Sequence, residues 1–331
     1  MITIVYPEGN TIRYSQDGAL LPKLLADSQH SFWLDLESPT SEEYALLCEP
    51  FHFHPLAIED ASRPRQRPKV DEYEGFVFVV ADEIRMGPAE TDETASGKSA
   101  ETENVRGRQI ATFLGPNYLV TVHVEPVETV RQFRDRCDHR HWIFDKGPGY
   151  LLYMLLDVLV DLYFPLLEAM ADRLDDLEDR IVTRPRQDVL ETIFTLKRDL
   201  TRMRRYAGPL REVTQTLTTR DIPGIQSSML PYFRDVADHL FRIYETLDNY
   251  RDLMSSMLDA YLSQVSNQLN LVMQKLTAVA TVFMPITFLT GVFGMNFAHQ
   301  PWYNTNIWFW MGLMIAIGAA TYWWFHRRHI V

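Results

Sequence analysis

Leu276 to Gly294 reads LTAVATVFMPITFLTGVFG, and Ile307 to Phe325 reads IWFWMGLMIAIGAATYWWF. Each run holds nineteen residues without a formal charge, enough to cross a hydrocarbon core of about 30 Å at ~1.5 Å per helical residue. Two buried core helices would have the same composition. Trp302, Trp308, Trp310, Trp323 and Trp324, however, flank the second run as an interfacial aromatic belt does. The reading is therefore two transmembrane helices, 276–294 and 307–325. Lys275 precedes the first and His326-Arg327-Arg328-His329 follows the second, so the positive-inside rule puts both flanks in the cytoplasm. Residues 295–306 become a short external loop and 326–331 a basic cytosolic tail. Two spans cannot close a hydrophilic pore alone, so any pore needs several copies around an axis.

The rest of the chain has the opposite character. All 44 acidic residues and 30 of the 32 Lys and Arg lie before Leu276. An acidic body is thus joined to an apolar tail. The net charge of −12 argues against nucleic acid as a partner, because phosphate binding needs clustered Lys and Arg. Cys48 and Cys137 sit in unrelated contexts and imply no disulfide. Met1 to Glu8 alternates like a strand and lacks the basic and apolar regions of a signal peptide. The expected location is the inner cell membrane, multi-pass, with both termini cytoplasmic.

Strand-like runs occur at Ile2 to Tyr6, Ser31 to Leu36, Phe76 to Ile84, Gln109 to Leu114 and Tyr118 to His123. Ser38-Pro39-Thr40-Ser41 before Glu42 and Glu43 marks a helix start. Residues 1–147 therefore form a cytosolic mixed α/β domain. Gly87 to Gly107, polar and without apolar periodicity, reads as a mobile hairpin loop. Residues 148–230 read as a helical hairpin: Tyr150 to Thr183, kinked at Pro165, then Gln187 to about Thr219, ended by Asp221-Ile222-Pro223-Gly224. From Pro231 to Gly294 only Pro285 interrupts. One helix of roughly 95 Å at 1.5 Å per residue then runs as a stalk (231–275) into the first span. The fold class is α+β: a mixed α/β domain, a long-helix stalk and two C-terminal spans in a funnel-shaped oligomer.

At the outer end of the first span stands Gly294-Met295-Asn296, after Met284-Pro285-Ile286-Thr287-Phe288. The segments His54-Pro55-Leu56-Ala57-Ile58-Glu59-Asp60, Gln66-Arg67-Pro68-Lys69-Val70, Tyr150-Leu151-Leu152-Tyr153, Pro231-Tyr232-Phe233-Arg234-Asp235 and Tyr261-Leu262-Ser263-Gln264-Val265-Ser266-Asn267 accompany it. Motif, placement and order together resemble the CorA family of divalent-cation channels. The resemblance implies a homopentamer in membrane lipid that carries Mg²⁺, with Co²⁺ or Ni²⁺ as further cargo, through a selectivity filter at Gly294, Met295 and Asn296. A ring of asparagine carbonyls accepts hydrogen bonds from an ion's retained waters without a charge that would trap it. Gly and Asn are also common helix C-cap residues, and a cap is compatible with a filter.

Asn270, Met273, Leu276, Thr277, Ala280, Met284, Thr287 and Gly291 recur at three- and four-residue steps, hence on one face. Periodicity alone equally gives a helix-packing seam. The resemblance makes it the pore lining, with Asn270 a polar ring and Met273, Leu276 and Met284 constrictions that gate by dewetting. It also implies regulatory Mg²⁺ sites between subunits: Asp60 with Asp259 as the primary pair, and Glu59, Asp157 and Asp235 as a second set. Arg327 and Arg328 correspond to a basic collar, thinner than in many relatives, and the loop from Phe297 to Asn306 lacks carboxylates that many relatives carry.

His52-Phe53-His54 and Cys137-Asp138-His139-Arg140-His141 offer zinc-capable side chains without a tetrahedral set at structural-site spacing, so structural or surface roles are expected there. No Walker loop, dinucleotide fingerprint or nucleophile elbow appears, and no enzyme is expected. Two rivals stay open: a Zn²⁺ transporter of the same superfamily, and a non-conducting membrane-anchored cation-sensing scaffold.

Overall fold

The computed structural model describes residues 1–9, 11–27, 29–63, 66–88, 103–138, 140–183, 186–293 and 307–327. It divides into two compact units, Met1–Glu178 with Leu190–Ser256, and Asp179–Val189 with Met257–Val331. Along the chain come β1 (Ile2–Glu8), β2 (Thr11–Ser15), α1 (Leu21–Ala26), β3 (Phe32–Glu37), α2 (Ser41–Cys48), α3 (Pro55–Ser62), β4 (Lys69–Tyr73), β5 (Phe76–Pro88), β6 (Glu103–Leu114) and β7 (Tyr118–His123). Long helices follow: α4 (Glu128–Asp138), α5 (Pro148–Asp161), α6 (Tyr163–Thr183), α7 (Gln187–Thr219), α8 (Leu230–Phe293) and α9 (Ile307–Arg327).

The seven strands form one sheet in the order β2-β1-β3-β7-β6-β5-β4. Neighbours are antiparallel except β3 with β7. Alternation along β3 decides the two faces. Phe32, Leu34 and Leu36 join Ile4, Phe78 and Val120 in a core under α1, α2 and α3, where Phe53 stacks on Phe113 with ring centres 4.3 Å apart. Trp33 and Asp35 point the other way. The Trp33 ring meets Phe133 of α4 edge-on at 4.7 Å, and its indole N–H donates to Thr121 at 2.9 Å. Thr121 donates to Asp35 at 2.6 Å, and Arg134 and His123 approach the same buried carboxylate at 3.0 and 3.2 Å. Burying that charge is tolerable because it is surrounded by donors.

Helix starts follow their capping chemistry. Thr40 caps α2 in a reciprocal box with Glu43, as the sequence around Ser38 to Ser41 leads one to expect. Buried Glu83 caps α4, accepting from the Glu128 N–H at 3.1 Å, the Thr129 N–H at 2.6 Å and the Thr129 hydroxyl at 2.7 Å. His54 caps α3, accepting from the Leu56 N–H at 3.2 Å, and Cys137 is buried with its thiol pushed up to about 12 by burial. Both have structural roles.

Three expectations need correction. The hairpin loop between Gly87 and Gly107 is shorter at both ends, because β5 and β6 stay paired out to Pro88 with Glu103; residues 89–102 lie outside the described residues. The kink expected at Pro165 is a break at Leu162, between α5 and α6, since Pro165 has no N–H for the carbonyl four residues back. Third, the edge strands β2 and β4 were not expected from the sequence. Both are short and polar, which suits sheet edges and leaves little apolar alternation to read.

By length and apolarity the segment Pro148–Thr183 would also cross a membrane, but 61% of its apolar window is buried in the first unit. It is core. The corresponding window of Ser227–Val292 is only 6% buried, and Met311–Trp324 is the apolar stretch of α9. The molecule therefore carries a mixed α/β domain, a long helix and two candidate C-terminal spans.

Candidate ion-path face and carboxylate sites

In the second unit, one stripe of α8 is covered within the chain. Ala278 is buried, and Val282, Pro285, Ile286 and Leu289 are half-buried. A Cβ placed on Gly318 of α9 would sit 3.4 Å from Ile286 Cδ1, so this stripe packs on α9. At about 100° per residue, Asn270, Met273, Leu276, Thr277, Ala280, Met284, Thr287 and Gly291 lie roughly opposite. All eight are exposed, Met284 by 71%. The candidate lining is thus one continuous face turned away from the chain's own second span. Thr287 donates back to the Phe283 carbonyl at 2.9 Å, leaving hydroxyl lone pairs available as acceptors. Gly294, Met295 and Asn296, and Arg328 of the expected collar, lie outside the described residues. Arg327 stands over the Trp323 ring at 5.2 Å.

The regulatory candidates in the first unit fall into two places. Glu59 and Asp60 sit on α3. Arg63 lies 2.7 Å from Glu59 and Lys69 lies 2.7 Å from Asp60, while Gln109 donates to the Asp60 backbone carbonyl at 3.0 Å. Asp157 and Asp235 meet elsewhere. Asp157 and Asp161 are one turn apart on α5, and Arg136 reaches across both at 2.6 and 2.9 Å. His239 of α8 joins them: Asp157, Asp161 and His239 each offer a ligand atom, all within 4.8 Å of one another. Asp235, one turn before His239, is 4.0 Å from its Nε2. His239 Nδ1 is buried without a hydrogen-bond partner among the described residues.

Two carboxylates, an imidazole and a single guanidinium leave net negative charge, and this donor set fits a divalent cation. The nearby Tyr153 hydroxyl feels the same field: burial first, then the charge of Asp157, Tyr150 and Asp235, pushes it up to about 12. Sequence reasoning missed Asp161 and His239. Their signal was available, because Asp157/Asp161 and Asp235/His239 are both i,i+4 pairs on helices. Asp259 is exposed on α8 and belongs to the second unit, whereas both carboxylate groups belong to the first.

Residues 28–327 match the model of the family described as CorA-like Mg²⁺ transporter protein. A putative metal ion transporter, YfjQ of Bacillus subtilis, is 34% identical over 90% of this chain and 89% of its own length. The cobalt/magnesium transport protein CorA of Thermotoga maritima is 38% identical over 76% of this chain and 68% of its own. Among solved structures, the CorA magnesium transporter of Methanocaldococcus jannaschii superposes with a TM-score of 0.81 at 22% identity, covering 99% of this chain and 98% of that one. The α/β domain, the long helix and the two terminal helices thus follow an arrangement already known, and the chain belongs to the CorA-like Mg²⁺ transporter family.

Proposed function

We propose that this chain is one subunit of a homo-oligomeric channel, pentameric by family, that lets hydrated Mg²⁺ into the cell, with Co²⁺ and Ni²⁺ as competing cargo. The observation that carries the reading is the exposed α8 face opposite α9. It mixes Thr277 and Thr287 with apolar residues inside the span and continues to Asn270 at the end of the stalk, and polar groups at membrane depth face protein or water rather than lipid. Copies related by an axis would turn those faces inward, the amide and hydroxyl oxygens accepting from an ion's retained waters and Met273, Leu276 and Met284 forming the apolar constrictions. Asn296 at the outer mouth would select for the hydrated ion. No nucleotide is needed: two charges moving through 100 mV gain about 4.6 kcal/mol.

The acidic groups supply feedback in this account. Asp60 and Glu59 on α3, Asp259 on α8, and the cluster of Asp157, Asp161, Asp235 and His239 would hold a divalent ion. A bound ion supplies positive charge that offsets carboxylates facing one another between copies. Without that offset the carboxylates repel, and the stalks shift toward a looser, conducting arrangement. The protein would then lie in the inner membrane with the acidic domain, both termini and the Arg327–Arg328 collar in the cytosol.

Vesicles reconstituted with the purified protein and loaded with a Mg²⁺-sensitive dye test the function. Under an inside-negative potential Mg²⁺ should enter, and Asn296→Ala should reduce its preference over other divalent ions. Zn²⁺ uptake coupled to protons would favour the zinc-transporter reading instead. Silence toward every ion would leave a sensing scaffold.

A further inference from the structure

Lys69 lies on β4, the edge strand of the sheet. Its ammonium sits between two carboxylates, 2.7 Å from Asp60 and 2.5 Å from Asp71, with the Phe78 ring centre 5.8 Å away. All three charged side chains are partly buried. A lysine ammonium is positively charged at neutral pH, and here both carboxylates lie within hydrogen-bond distance of it. The ammonium is therefore charged throughout the physiological range, and Asp60 meets any other cation in competition with it.

We infer that Lys69 is a tethered competitor for the divalent cation at Asp60, and so sets the ion concentration at which that carboxylate site fills. The inference rests on the reading of Asp60 as a regulatory metal carboxylate. With Lys69 in place, Asp60 and Asp71 retain one net negative charge; when the ammonium swings out, they present two. A group on a short flexible stem competes at an effective concentration on the order of millimolar, so the divalent concentration that half-fills the site rises by one plus the ratio of that effective concentration to the ammonium's own dissociation constant. Lysine suits this role. It is a compact charge on a flexible four-carbon stem, able to leave without breaking a bidentate fork. Arg136, by contrast, grips Asp157 and Asp161 with two nitrogens and is the harder cation to displace. Of the two places, Asp60 is the one expected to exchange readily.

Full-length protein in lipid, subjected to limited proteolysis across a Mg²⁺ titration, tests the inference through the Mg²⁺ concentration giving half-maximal protection of the stalk. Lys69→Gln should lower that midpoint about tenfold, the tethered competitor being gone. Lys69→Arg, which keeps a cation, should stay at or above the wild-type midpoint. Lys69→Met retains the apolar stem over Phe78 and carries the same expectation as Lys69→Gln should the latter fold poorly. Asp60→Asn separates the two layers of the argument. If Asp60→Asn moves the midpoint but removing the Lys69 charge does not lower it, competition is overturned while the regulatory reading stands. If Asp60→Asn leaves the midpoint unchanged, the regulatory reading of Asp60 fails and the inference falls with it.

Discussion

Asp82 on β5 is a buried carboxylic acid, and desolvation pushes its pKa up to about 6. An acid raised in the folded state costs stability once the unfolded chain has ionised. The cost is absent below about pH 4, grows as pH rises through the unfolded value, and levels off above about 6. Asp82→Asn should therefore stabilise the protein at pH 7–8. Its ceiling is ~3 kcal/mol, because the buried acid ionises roughly two pH units above an ordinary aspartate and each pH unit is worth ~1.36 kcal/mol. The gain should vanish near pH 4; thermal melting of both proteins at the two pH values checks it, and an equal difference at both would contradict it. Residues with a one-line chemical grammar, such as Thr40 before Glu43, were legible in the sequence. Asp161 and His239 were legible only as i,i+4 partners of Asp157 and Asp235; that the two pairs meet, that Arg136 of α4 already bridges Asp157 and Asp161, and that Lys69 pairs with Asp60 of α3 comes from contacts between elements. Charge patterns along the chain say which side chains are acidic, but not which already hold a cation.

The start of α5 illustrates what an element owes to a contact. Gly149 follows the helix-initiating Pro148, and a Cβ there would lie 2.6 Å from the Gly224 carbonyl and 3.0 Å from Met229 Sδ. Gly224 takes φ +89°, the left-handed conformation that lets the turn before α8 fold back onto α5. Intrinsic helix propensity favours alanine over glycine by up to ~1 kcal/mol, whereas overpacking costs about 1–3 kcal/mol. Gly149→Ala should thus destabilise, and a raised melting temperature would show the turn to be loosely packed. Strands rich in alternating apolar residues, and helices broken by proline or glycine, were readable at this scale; Gln187–Thr219 agrees with its expected bounds despite Pro209 inside it. Polar edge strands were not, since each is defined by the strand it pairs with, and the α5–α6 break was readable from Pro165 in kind but placed three residues too late. The candidate pore face had the same ambiguity in sequence, where three- and four-residue steps describe a packing seam equally well. Covering of the Ala278–Leu289 stripe by α9 removes one half of that ambiguity, by showing which side of α8 the chain itself uses.

At the scale of the whole molecule, an acidic α/β body and a 64-residue helix with apolar C-terminal segments belong to a family of transporters, and the proposed function requires a pore shared among copies. For ions to pass, the uncovered face of α8 must be wet in the assembled protein. Single cysteines test this most directly, introduced into a functional background in which Cys48 and Cys137 are replaced, with Mg²⁺ flux into vesicles measured before and after a water-soluble thiol reagent. Modification of Asn270→Cys, Thr277→Cys or Met284→Cys should block the flux, while Val282→Cys and Leu289→Cys on the α9 side should keep it. Block confined to the Val282 and Leu289 positions, with the opposite face indifferent, would contradict a water-lined path along α8.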